Sequence, residues 1–85
     1  METRVAVVSI ILENSESVQE VNKLISDCSD YVVGRMGIPY KKRGISVISV
    51  VMDAPQDMVS TFSGKLGKLD GVSAKTTYSK YVFDN

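Results

Sequence analysis

Few residues in this chain are of a type that does chemistry. It has no histidine and one cysteine, Cys28. Acid–base catalysis near neutral pH most often uses histidine, and a closed zinc site needs four Cys or His ligands. A single thiol can neither fill such a site nor hold an iron–sulfur cluster unaided. No Gly-x-Gly-x-x-Gly or phosphate-loop spacing occurs. Gly64-Lys65-Leu66-Gly67 pairs glycines with a lysine, but it falls at the end of an expected helix, the wrong end to cradle an anion. No nucleophile has an evident base, and no two carboxylates fall where they would share a pocket. The expectation is a non-enzyme with no cofactor and no metal.

What remains is a polar cluster of Arg35, Tyr40, Lys41, Lys42 and Arg43. Such a group could meet an anionic ligand, a nucleic-acid backbone or an acidic partner. The plainer reading, a solvated loop kept soluble by its charge, is preferred. Ten basic and ten acidic residues cancel, which argues against direct binding of nucleic acid. Cys28 falls on an apolar helical stripe and reads as a packed thiol, since no neighbour would lower its pKa.

These groups must be held by a scaffold, and the scaffold is plainer than the chemistry. Eighty-five residues, 44% hydrophobic and 24% charged, make one globular domain over 1–85. Gly44–Asp53 and Arg4–Leu12 are β-branched runs, apolar on both faces and too short to cross a membrane, so both read as central strands. Val18, Val21, Leu24, Ile25 and Cys28 form one stripe of a helix, with Ser17 and Glu20 at capping-box spacing and Asn14 or Ser15 as other caps. Asp30–Ile38, with Gly34 and Gly37, reads as an edge strand open to a bulge. Ile38–Gly44 should then turn back as a hairpin with a basic tip.

Asp53, with Gln56 three residues on, predicts the cap of a second helix whose inward stripe is Met58, Val59, Phe62 and Leu66. Gly64 inside it suggests close approach of helix to sheet. Val72–Tyr78, rich in Ser, Ala and Thr, suits an exposed edge strand. The terminal Tyr81-Val82-Phe83 should pack back or meet a neighbour.

The order is β-α-β-β-α-β, an α+β ferredoxin-like (ACT-like) arrangement: a four-stranded antiparallel sheet, its first and third strands central, with two helices on one face. Ala6, Val8, Ile10, Leu12, Ile48, Val50 and Met52 are assigned to the helix side. The other side would show Val5, Val7, Ser9, Ile11, Ile45, Val47, Ser49 and Val51. An apolar patch of that breadth is rarely left in water. A homo-oligomer, dimer or tetramer, is therefore expected through Val5, Val7, Ile11, Ile45, Val47 and Val51, or through edge strands. The central strands carry no Phe, Tyr or Trp, so the stacking platforms of an RNA-recognition domain are missing.

Tyr31-Val32-Val33-Gly34-Arg35-Met36-Gly37-Ile38-Pro39-Tyr40, Gly44–Val51, Asp53-Ala54-Pro55, Ser63–Gly67 and Gly71–Lys75 together carry a family resemblance. Over nearly its whole length the chain resembles the small proposed regulators of the iron-only hydrogenase system. The resemblance implies an ACT-like domain, similar to the C-terminal domain of the nickel-responsive repressor, that forms an oligomer and regulates hydrogenase genes or maturation. That repressor domain holds nickel through His and Cys; with no His here, the site does not carry over. No ribbon-helix-helix segment stands ahead of Arg4, so DNA contact would need a partner protein. Amino-acid-binding ACT domains place a Gly-rich turn after the first strand, where Glu13–Ser17 offers Asn14 but no glycine.

The preferred reading is a cytoplasmic regulatory or ligand-sensing module, since Met1-Glu2-Thr3-Arg4 opens neither a signal peptide nor a membrane span. A small-molecule effector would bind at Asn14 and Ser15, or along Gly34, Arg35, Gly37 and Tyr40 near a subunit boundary. The alternatives are an adaptor that docks a protein partner through Lys41, Lys42 and Arg43, or a small ferredoxin-like enzyme. No membrane partner is expected.

Overall fold

Alternation along two strands builds the sheet. Strand β1 (Glu2–Leu12) pairs antiparallel with β3 (Ile45–Ala54), setting Val8 against Val50 and Ile10 against Ile48. Residues paired across strands share a face. Ala6, Val8, Ile10 and Leu12 of β1 therefore lie beside Ile48, Val50, Met52 and Ala54 of β3, and all eight are buried. All but Ala54 are the side chains assigned above to the helix side.

The computed structural model describes residues 1–85. The other elements are α1 (Val18–Asp27), β2 (Val32–Tyr40), α2 (Gln56–Gly67), β4 (Val72–Tyr78) and β5 (Phe83–Asp84). The long strands run β2-β3-β1-β4, so β1 and β3 are central and β2 and β4 are edges. The sheet has five strands where four were expected, because the last residues fold back and Phe83 pairs with Thr3. This end is pinned by Asn85, whose Nδ2 donates to Thr3 Oγ1 at 2.8 Å.

The helices cover one face. Val21 and Ile25 of α1 and Val59, Phe62 and Leu66 of α2 join the buried strand residues in one core. Burying each such side chain contributes about 1.5–3 kcal/mol, and their number is what stabilises a domain this small.

Several local expectations are corrected. Ser17 stands at the start of α1 but makes no capping bond; its Oγ donates to Asp70 O at 2.8 Å. Asn14 caps the short 3-10 turn that leads in, its Oδ1 accepting from Glu16 N. Asp53 does not cap α2 either, since β3 runs through it to Ala54 and Pro55 takes the cap position. Gly64 marks no close approach, for a Cβ there would meet nothing within 4 Å. The hairpin is shorter than expected: β2 runs to Tyr40, one 3-10 turn spans Lys41–Arg43, and Gly44 takes a left-handed φ of +68°. The bulge in β2 falls between Val32 and Gly34, leaving Val33 69% exposed.

Candidate functional site

The residues singled out from sequence do not converge on one spot. Strand parity explains why. Gly34 pairs with Val51 and Tyr40 with Ile45, so both belong to the face without helices. Arg35 pairs with Val50 and Gly37 with Ile48, so both belong to the helix side. Arg35 reaches across to α1, donating from Nη2 to Asn22 Oδ1 at 3.1 Å. Along an extended strand Arg35 and Tyr40 are also about 17 Å apart.

The turn after β1 is held by its neighbour. Asn14 Nδ2 donates to Asp70 Oδ2 at 3.0 Å while Asn14 Oδ1 accepts from Glu16 N. Glu13 N donates to Gly71 O at 2.7 Å. Both ends of the Asn14 amide are therefore spent, Oδ1 within its own turn and Nδ2 on tying the β1–α1 turn to the α2–β4 turn. Ser15 is exposed and lines a shallow hollow of about 160 Å³ with Pro39, Lys41 and Gly44. This brings the first turn beside the basic tip, a juxtaposition that sequence spacing did not reveal. Lys41, Lys42 and Arg43 are exposed and make no ion pair.

The six residues assigned to an oligomer interface all lie on the face opposite the helices. Ile11, Val47 and Ile38 form one row across three strands, at 42%, 38% and 51% exposure. Val5, Val7, Ile45 and Val51 are half-buried around them, and Met36 and Tyr40 of β2 extend the patch. Asp53, paired with Val5, is on the same face, and its Oδ1 is buried with no donor.

One concavity was not anticipated. The C-terminal half of α1 and the outer side of α2 leave a cleft of about 590 Å³, with Leu24, Met58 and Phe62 among its apolar walls. Cys28 opens onto it rather than being sealed in the core, packing against the core with only part of its surface. Burial, and next the Asp27 carboxylate, push its thiol pKa up, against the opposing pull of Lys65. Proton retention of this kind lowers the thiolate fraction at neutral pH, so the thiol reacts slowly rather than serving as an activated nucleophile. The sequence reading put Leu24 and Cys28 on the buried α1 stripe and so gave no sign of this cleft.

No group of three His, Cys, Asp or Glu side chains is placed to hold a metal ion. No helix is long and apolar enough to cross a membrane.

Residues 4–76 match the TM1266-like family, described as a proposed iron-only hydrogenase system regulator. Among solved structures, the uncharacterized protein TM1266 from Thermotoga maritima superposes with a TM-score of 0.88 at 28% identity, over 92% of this chain and 99% of that one. A formyltetrahydrofolate deformylase from Pseudomonas putida KT2440 matches with a TM-score of 0.64 at 13% identity, over 86% of this chain but 28% of its own. CPII, a nitrogen regulatory PII-like protein from Thiomonas intermedia K12, matches with a TM-score of 0.52 at 12% identity, over 93% and 95% of the two chains. The last two likenesses are of fold alone. No curated protein matches the chain.

Proposed function

We propose, from the premise that this chain belongs to the TM1266-like family of proposed iron-only hydrogenase system regulators, that it is a non-enzymatic regulatory module, assembled as a homo-oligomer and responsive to a small molecule. The observation that carries this reading is the open sheet face. Ile11, Met36, Ile38, Tyr40 and Val47 are each more than a third exposed on one contiguous surface. Water in contact with so much apolar area is costly, and a second copy removes it. The unpartnered Oδ1 of Asp53 on that face supports the same reading, since a buried acceptor without a donor costs about 1–3 kcal/mol.

The effector half of the proposal draws on the fold. CPII, which shares it, has a structure bound to ADP, AMP and bicarbonate. Here the exposed β2 edge from Gly34 to Tyr40 and the hollow at Ser15 are where a subunit boundary would meet unspent polar groups. Asn14 is left out of that set because its amide is already committed. The deformylase likeness spans a small part of that enzyme and lends no activity to this chain.

Size exclusion with light scattering tests the assembly. A mass two or four times 9.3 kDa is expected, and a folded particle of 9.3 kDa at micromolar concentration overturns it. A thermal-shift screen with amino acids, nucleotides and metal ions tests the effector. Stabilisation should grow with ligand concentration, because binding the folded state adds to its stability by mass action.

A further inference from the structure

The cleft between α1 and α2 has the proportions of a ligand site. Small-molecule pockets occupy about 300–1,000 Å³, apolar in the main with a few placed polar groups. This one measures about 590 Å³. Leu24 and Met58 are half-buried and Phe62 is buried at its base, so the walls are part of the core and preformed.

The polar groups at its rim decide what it would take. Asp27 lines the cleft, but its Oδ2 accepts from Lys23 Nζ at 3.2 Å, so its charge is already paired. Asp57 Oδ1 accepts from Met58 N, and Thr61 Oγ1 donates to Asp57 O at 2.8 Å. Each of these has a partner within the chain. Lys65 has none, neither ion pair nor hydrogen bond, though its charge is felt at the Cys28 thiol across the cleft. One unspent ammonium above an apolar floor matches a molecule with a carboxylate at one end and a hydrocarbon or aromatic body behind it.

We propose that the α1–α2 cleft binds an amphipathic carboxylate, its body on Leu24, Met58 and Phe62 and its head on Lys65. This rests on the effector-sensing reading above, gives it a ligand class, and places that ligand in the helix layer instead of at the β2 edge or the Ser15 hollow. The site lies on the helix layer, away from the open sheet face, so occupancy and assembly are separable.

Cys28 is the chain's one cysteine and lines the cleft, so its alkylation by N-ethylmaleimide reports occupancy directly. Octanoate, below its micelle concentration, should slow labelling saturably. Octanol and octylamine share the tail but not the charge, and should protect at concentrations about tenfold higher or more. Lys65→Ala should weaken octanoate protection by about tenfold while leaving melting temperature and oligomer mass unchanged. Labelling indifferent to octanoate overturns the proposal, as does equal protection by octylamine or an unaltered octanoate response in Lys65→Ala. If octanoate fails while an amino acid, nucleotide or metal ion still raises the melting temperature, the cleft assignment alone falls. If no compound does either and the protein is a monomer, the regulatory reading falls with it.

Discussion

Gly71 is pressed against Asn14. Its φ is +70°, and a Cβ at this position would lie 2.5 Å from Asn14 Cβ and 2.9 Å from Asn14 N. Two loops remote in sequence meet here without room for a methyl group, locked by the Asn14–Asp70 and Glu13–Gly71 hydrogen bonds.

Gly71→Ala therefore combines left-handed strain with a backbone clash, and should cost about 2–4 kcal/mol. Gly44→Ala is the control. Its φ is +68°, but nothing lies within 4 Å of the added carbon. It should cost only the conformational term, about 1–2 kcal/mol. Chemical denaturation of the two variants checks the difference, and equal losses would show that the contact with Asn14 is soft.

Gly64 makes the opposite case. It lies within α2, is exposed, and has open space where a side chain would go. Gly64→Ala should stabilise the protein by about 0.5–1 kcal/mol through helix propensity and a less flexible unfolded chain. A lowered melting temperature would mean that the position touches something in the assembled protein.

Cys28 should make alkaline stability fall more steeply. Its pKa is raised in the folded state, first by burial and then by Asp27. A folded thiol that holds its proton longer than the unfolded one contributes stability that is present in full below the unfolded pKa. That contribution is lost as pH rises through the folded value. Relative to Cys28→Ala, the wild-type protein should lose stability with rising pH above the ordinary thiol pKa of 9.0 and match it in slope below. The measurement is the difference between two denaturation series across that range; parallel curves throughout would show that burial does not hold the proton.

The middle of the open face offers the sharpest test of assembly. Val47 lies between Ile11 and Ile38 in one row, and its own side chain is not part of the core. Val47→Lys should dissociate the oligomer to a 9.3 kDa particle with the circular dichroism of the parent. An unchanged mass in light scattering would place the interface elsewhere, at the sheet edges or the exposed Tyr81–Phe83 segment.

The scaffold was readable because burial imposes periodicity. Ala6, Val8, Ile10 and Leu12 could be separated from Val5, Val7, Ser9 and Ile11 by parity alone, and the buried set came out as expected. Caps were harder to place. Ser17, Asn14 and Asp53 all have the chemistry to start a helix, and which one does so depends on where Asp70 and the end of β3 lie. The fifth strand escaped notice because Phe83 and Asp84 form a run too short to show alternation.

Composition and spacing by themselves determined that two strands would be central, that two helices would cover one side, and that the other side would be apolar. Each of these follows from where greasy side chains recur along a chain whose local geometry is known. The candidate site was decided only by tertiary structure. Residues close in sequence, such as Arg35 and Tyr40, were sent to opposite faces by strand parity, while Asn14 and Asp70 were brought into contact from distant turns. The α1–α2 cleft is lined by residues from two helices, a relation between surfaces that no stretch of residues encodes alone.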